Sequence, residues 1–269
     1  MIAVELVKML RRPRTWVTLA LLNALPTLVA VLLAVTDIGP QPGEGPAFLS
    51  AVLTDGTLFP LAALGIVLPL FMPVAVALYA GESVAGEAQA GTLRYVLVRP
   101  VGRTRLLVAK LISIMAFVLL AVAVVAAVAY VVGLVLLGEG TGNVTAISGS
   151  TLTPFQLVER TLMSIVYVAL SMLGVAALAL FLSTVSDSPL GAAFGALAFL
   201  IASTLLLTLD AAEALRPYLP TRYWLSFVDL FRDPILWRDI LRGVLLQGVY
   251  VAVFLAAAWA NFSTKDINS

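Results

Sequence analysis

From Leu111 to Gly138 the chain carries no charged residue, and this constrains the fold more than any other feature. Coiled as a helix rising about 1.5 Å per residue, such a run outreaches the ~30 Å hydrocarbon core of a bilayer, which about 20 apolar residues already cross. Six stretches are long and apolar enough: about Thr15 to Val35, Thr57 to Ala80, Leu106 to Leu137, Arg160 to Thr184, Pro189 to Leu209 and Gly243 to Phe262. Backbone amides have no water to bond in lipid, so each stretch must satisfy itself as a helix, and the strict alternation of a barrel strand is missing. Mean hydropathy is +1.06 and 61% of residues are apolar, against roughly 45–50% in soluble domains. No polar half remains to fold as a separate water-soluble domain. The expectation is an all-α integral membrane protein with six transmembrane helices.

The opening residues, MIAVELVKMLRRPR, precede the first span. Glu5, Lys8, Arg11 and Arg12 recur at helical spacing, Ile2, Leu6, Met9 and Leu10 fall on the other side, and Pro13 ends the pattern. Residues 1–14 are therefore expected to form an amphipathic helix lying at the membrane interface. A signal-peptide leader is the alternative, but the apolar run that follows exceeds the 7–15 residues of a signal core. Residues 15–269 form a single six-span membrane domain. Lys8, Arg11, Arg12 and Arg14, the basic residues of the 81–110 segment, and Lys265 all fall on one side of a six-span chain, which predicts both termini in the cytoplasm. The other side holds Arg160 and the arginines of 210–242, the latter matched there by Asp210, Glu213, Asp229, Asp233 and Asp239. Residues 36–56, with GPQPGEGP, read as irregular, and 138–159 are rich in Gly, Ser and Thr. Residues 210–242 read as short helices at the outer face, with Tyr223, Trp224 and Trp237 as an aromatic belt. The sequence STVSDSP at 183–189 reads as a tight turn between the fourth and fifth spans.

Several function classes are disfavoured. Neither histidine nor cysteine occurs, so there is no imidazole base, thiol nucleophile or zinc-thiolate site. Gly149-Ser150 has no histidine with which to form a protease dyad. The three lysines, Lys8, Lys110 and Lys265, follow no GxxxxGK[ST] loop, so the chain is not expected to hydrolyse nucleotides and is not read as an enzyme. A net charge of +1 gives no global field for nucleic acid. The spans are nearly free of ionisable groups, Asn23 being the one strongly polar residue deep in the first. Carriers driven by protons or sodium ordinarily need an intramembrane carboxylate, which disfavours an ion-coupled carrier or channel. A membrane anchor without transport of its own is the other alternative.

The exception to this avoidance of charge is GESVAGEAQAGTLRYVLVRPVGRTRLLVAK, residues 81–110. The second span is expected to continue as a helix through Glu82 and Glu87 until Gly91. Thr92 can cap a short helix with Leu93, Val96 and Leu97 on one side and Arg94 and Arg99 elsewhere, ended by Pro100 and Gly102. Thr104 can then cap the third span. An apolar strip rimmed by charge suits docking into a partner's cleft, and the same arginines also serve as topology determinants. Pro60, Pro69 and Pro73 predict kinks in the second span. Gly191 and Gly195 permit close helix contact, within one chain or between two.

This run resembles the cytoplasmic loop of ABC-2 type (type V) transporter permeases. An acidic helix end there leads into Gly-Thr-Leu-Arg, a Pro-Val-(Ser/Gly)-Arg turn and a Lys opening the third span. The matching residues are Glu82, Glu87, Gly91, Thr92, Leu93, Arg94, Pro100, Val101, Gly102, Arg103 and Lys110. The surface helix, six spans, tight turn at 183–189, long outer segment and the tail from Phe262 to Ile267 are similar as well. Ala88 and Gln89 depart from the pattern where family members often carry a second acid. The resemblance implies an ABC-2 type permease fold and an exporter in the plasma membrane, two such units pairing around a path. It also implies two separate cytoplasmic ATPase subunits that bind the ATP and Mg, with no cofactor held by this chain. Residues 81–105 would be the coupling loop. Glu82, Glu87, Gly91, Thr92, Leu93, Arg94, Leu97, Arg99 and Pro100 would meet the ATPase, Glu87 and Arg94 orienting the short helix and Leu93 and Leu97 filling the groove.

Overall fold

The computed structural model describes residues 2–36, 55–91, 103–138, 144–145 and 151–264. Helix α1 (Ile2–Arg11) stops at Arg12, whose backbone is extended, and α2 (Pro13–Val35) begins on Pro13. Proline suits that first position because its missing N–H would have no intrahelical partner there. Asn23, the polar residue deep in α2, donates from Nδ2 to the Leu19 carbonyl at 2.7 Å and so needs no neighbouring helix.

The second apolar stretch is not one helix. A 3-10 turn (Gly56–Leu58) leads into α3 (Phe59–Val67), and α4 (Phe71–Gly81) follows a bend of 61° at residues 68–70. Pro69 lies in the break, where its ring and missing donor interrupt the helical ladder. Pro60 and Pro73 lie in the first turns of α3 and α4, where proline costs little. The expected continuation past Gly81 also fails: the chain turns at residues 82–84 before a separate short helix, α5 (Ala85–Gln89).

Helix α6 (Arg103–Leu136) follows. A two-stranded antiparallel pair, β1 (Val144–Thr145) and β2 (Thr151–Leu152), precedes α7 (Pro154–Val185). Helix α7 starts earlier than the apolar pattern predicts. The Thr153 hydroxyl accepts from the Gln156 amide, and the Gln156 side chain accepts from the Thr153 amide at 2.9 Å, a reciprocal cap that fixes the first turn. Arg160 therefore lies inside the helix, its side chain 7% exposed, donating to the Arg232 carbonyl at 2.9 Å and lying 3.6 Å from Asp233. The turn after Val185 is as expected, with the Ser188 hydroxyl capping α8 (Pro189–Thr208) through the Gly191 amide. The final helix, α9 (Trp237–Thr264), also begins before its apolar stretch.

The described chain is all-α apart from the β pair. Five helices are long and apolar enough to cross a membrane, and the bent α3–α4 pair passes the same test as a unit. Large apolar side chains such as Val35, Val135 and Leu245 are largely exposed on their outer faces, as in a multi-pass membrane protein whose outer solvent is lipid. The core centres on α7. Its small residues Gly174, Ala176, Ala177 and Ala179 let α4, α6, α8 and α9 approach.

Residues 210–236 form two 3-10 helices, Asp210–Tyr218 and Trp224–Phe231. Side chains of the long helices hold this segment by its backbone carbonyls. Tyr167 of α7 donates to Tyr223 at 2.6 Å, Gln247 of α9 to Pro220 at 2.7 Å, and Tyr250 of α9 to Tyr218 at 2.8 Å. The aromatic belt read from the sequence is corrected in part. Trp237 is exposed, but Tyr223 and Trp224 are buried, because the segment folds down onto the helices.

Candidate functional site

At one end of the bundle, α1, the end of α4, α5 and the start of α6 bring their charges together. The geometry begins with Ser183, from the last turn of α7. Its hydroxyl donates to the Gly81 carbonyl at 2.6 Å and accepts from the amides of Val84 and Ala85 at 3.1 and 2.9 Å. One buried side chain thus satisfies both the orphan carbonyl at the end of α4 and the orphan amides opening α5. The turn it holds sets the direction in which Glu87 projects.

Glu87 points inward. Its Oε1 accepts from Lys8 of α1 at 2.9 Å and from Lys110 of α6 at 2.9 Å. The Lys110 side chain is 2% exposed and that of Glu87 12%. Burial pushes the Glu87 carboxyl up, but the two ammonium groups outweigh burial and hold it below the usual carboxylate value. A second, more open pairing lies beside it. Glu82 accepts from Arg14 at 2.8 Å and faces Arg12 at 3.9 Å. Nearby, Tyr79 and Ser113 share a hydrogen bond at 3.0 Å. A cavity of about 760 Å³ opens alongside, lined by Arg12, Arg14, Glu82, Glu87, Gln89 and Ser188 among others.

This arrangement gives α1 an inward contact that its amphipathic pattern alone does not show. The sequence pattern sets a charged face against an apolar one, yet Lys8 and Met9 both turn toward the protein while Ile2, Val4, Val7 and Leu10 are exposed. Lys8 faces inward because a buried carboxylate awaits it. Of the residues read as the partner contact, Glu82, Glu87 and Gly91 are described. Gly91 has φ +66°, a left-handed conformation that glycine adopts without Cβ strain and that ends α5. Thr92, Leu93, Arg94, Leu97, Arg99 and Pro100 lie outside the described residues. Thr104 accepts from the Trp259 indole at 3.0 Å, joining the start of α6 to the end of α9.

Two features of this site differ in how far sequence reasoning reaches them. Ser183 reads as ordinary turn punctuation, and nothing in its neighbours signals a partner about a hundred residues away. The pairing of Lys110 was open to inference: a lysine inside LLVAKLISI demands a counterion, and Glu87 is the nearest carboxylate in sequence. Chemically the cluster is an electrostatic joint. Among the described residues no group of three or more acidic side chains is placed to hold a metal ion.

A family model described as "Protein of unknown function (DUF2705)" matches residues 46–268. No curated protein matches the chain. The chain belongs to the DUF2705 family.

Proposed function

We propose that this DUF2705 member is the membrane-spanning permease subunit of an ATP-binding cassette exporter of the ABC-2 type. In this reading two such subunits pair around a path in the plasma membrane, and two separate cytoplasmic ATPase subunits drive them. The observation that carries the reading is the joint at Glu87. It ties α1, α5 and α6 together directly before the residues 92–102 that bear Thr-Leu-Arg and Arg-Pro-Val-Gly. A partner pressing on that segment would move three elements at once, and the Ser183 contact would pass the load to α7.

The bent pair is proposed as a true crossing, making six. The Arg14–Glu82 and Lys8–Glu87 contacts bring the start of α2 and the end of α4 to the same end of the bundle. If α2 crosses the membrane, the α3–α4 pair must return across it. Lys8, Arg11, Arg12, Arg14, Arg105 and Lys110 gather at this end, which favours placing it in the cytoplasm.

The test is to purify the tagged chain from its native membrane and identify what accompanies it. An ABC-type ATPase should co-purify, its activity stimulated by the chain. Arg94→Glu and Leu97→Asp should each break stimulation while leaving the chain folded. Recovery of no nucleotide-hydrolysing partner, or full stimulation in both variants, rejects the proposal.

A further inference from the structure

A second cavity lies at the opposite end of the bundle, and no part of the joint at Glu87 touches it. About 460 Å³ in volume, it runs between the start of α3, the later half of α6 and the first turns of α7. That volume falls in the range of about 300–1,000 Å³ typical of small-molecule sites. Its walls are apolar for most of their length, with Ala123 and Ala127 of α6 and Leu162 and Ile165 of α7 among the lining residues. Ala123 and Tyr130 are separated by two helical turns, about 10 Å, which fits an extended apolar body. The polar side chains of the lining are Asp55, Thr57, Tyr130 and Thr161, and Tyr130 lies about one helical turn before Gly133, which packs against Gly56, the residue after Asp55.

Asp55 is 7% exposed. Its Oδ1 accepts from the Thr57 amide at 2.8 Å and from the Thr57 hydroxyl at 2.6 Å. Among the described residues no lysine or arginine pairs with it. Arg160 is the basic residue nearest in sequence on the α7 wall, and its guanidinium is committed to Arg232 and Asp233. In the sequence, residues 37–54 and 139–150 contain Asp37, Glu44 and Glu139 and no lysine or arginine. A carboxylate largely removed from water, with no cation of the chain's own among the described residues, sits at the mouth of an apolar groove beside an aromatic ring. That combination complements a positive head on an apolar tail.

We infer that the groove between α3, α6 and α7 binds an amphipathic monocation, its amine or quaternary ammonium head at Asp55 and Tyr130 and its apolar body along Ala123 and Ala127. This does not rest on the permease reading, since binding requires neither nucleotide nor an ATPase. A zwitterionic lipid is the competing occupant; the carboxylate would repel its phosphate while drawing its ammonium, so it would respond far less than a monocation to the charge at position 55.

The experiment uses the full chain in nanodiscs of phosphatidylcholine, whose neutral surface does not itself concentrate cations. The probe is a dansyl-tagged alkyl trimethylammonium, compared with the same molecule carrying tert-butyl in place of trimethylammonium. Asp55→Asn removes the charge but keeps a side-chain oxygen able to cap the Thr57 amide, so it separates electrostatics from folding. The cation should bind more tightly than its neutral twin, and Asp55→Asn should weaken the cation alone by about tenfold, the factor set by about 1.4 kcal/mol. Ala127→Leu, which fills the groove without touching the carboxylate, should weaken both probes. Equal binding of the two probes by the unmodified chain, an unchanged cation affinity in Asp55→Asn, or unchanged binding in Ala127→Leu would each overturn the inference. Such a failure would leave the ATPase co-purification test untouched, and failure there would leave this one standing.

Discussion

At the scale of single residues, the Glu87 joint makes the sharpest demand on energetics. Replacing one partner of a buried ion pair strands the other, at a cost of about 3–5 kcal/mol, whereas replacing both with neutral groups of similar size is often close to harmless. Glu87→Gln should therefore destabilise the chain strongly, because Lys110 has almost no access to water. Glu87→Gln combined with Lys110→Met should recover most of that loss in denaturant or thermal unfolding in detergent. The open Arg14–Glu82 pair, with Arg14 80% exposed, should contribute at most about 1 kcal/mol. The joint also carries a pH signature. The folded Glu87 carboxyl lies below its ordinary value of 4.5, so its contribution is complete above that value and disappears as pH falls through the lower, folded value. Stability should hold from neutral pH to about pH 5 and drop below it, with the drop reduced once Glu87→Gln removes the titrating carboxyl. Ser183→Ala should cost about 1–3 kcal/mol, since it leaves a buried carbonyl and two amides without their partner. The two sites differ in how legible they are. A lysine in an apolar run announces its need for a carboxylate, but a serine's long-range contact has no local signal.

At the scale of elements, the long helices follow directly from apolar runs because lipid leaves the backbone no other solution. What the runs conceal is where a helix is broken or extended by polar chemistry. Helices α7 and α9 begin in polar sequence, α7 through its Thr153–Gln156 cap, and hydropathy cannot see a cap. The break between α3 and α4 is signalled by proline, though three prolines were equally eligible and only Pro69 occupies the bend. The other two sit in first turns, where no ladder bond is lost. The position of α3 depends instead on a contact between glycines. Gly56 donates its amide to the Gly138 carbonyl at 3.2 Å. A Cβ on Gly133 would collide with the Gly56 carbonyl oxygen and approach the Phe59 Cβ to 2.7 Å. Gly133→Val should therefore push α3 off α6 and lower stability by about 1–3 kcal/mol, the usual range for overpacking. The same change at Gly248, where a Cβ meets nothing within 4 Å, should be nearly neutral in the same unfolding assay.

At the scale of the whole molecule, the bent pair bridges two packing groups. Helix α3 packs chiefly on α6, while α4 packs on α7 and α8, so the bend lies where one group gives way to the other. The joint at Glu87 occupies one end of the bundle and the Asp55 groove the other, about 30 Å apart along α6 from Lys110 to Tyr130. This layout depends on the pair crossing the membrane rather than dipping in and returning, and the absence of cysteine makes the point directly measurable. Single cysteines placed at Arg11, Gln89 and Asp210, all exposed, can be labelled with a membrane-impermeant maleimide from either face of sealed vesicles. Asp210 follows α8, which begins beside Gly81, where a Cβ on that glycine would meet the Pro189 carbonyl, and runs 20 residues to the far end. A crossing pair requires the labels at Arg11 and Gln89 to react from the same face, the cytoplasmic one, and the label at Asp210 from the other. A re-entrant pair would put Gln89 on the face opposite Arg11, which the Lys8–Glu87 ion pair does not allow once α2 spans the bilayer. Labelling of Arg11 and Gln89 from opposite faces would thus dismantle both the proposed six-span topology and the joint on which the proposed coupling rests.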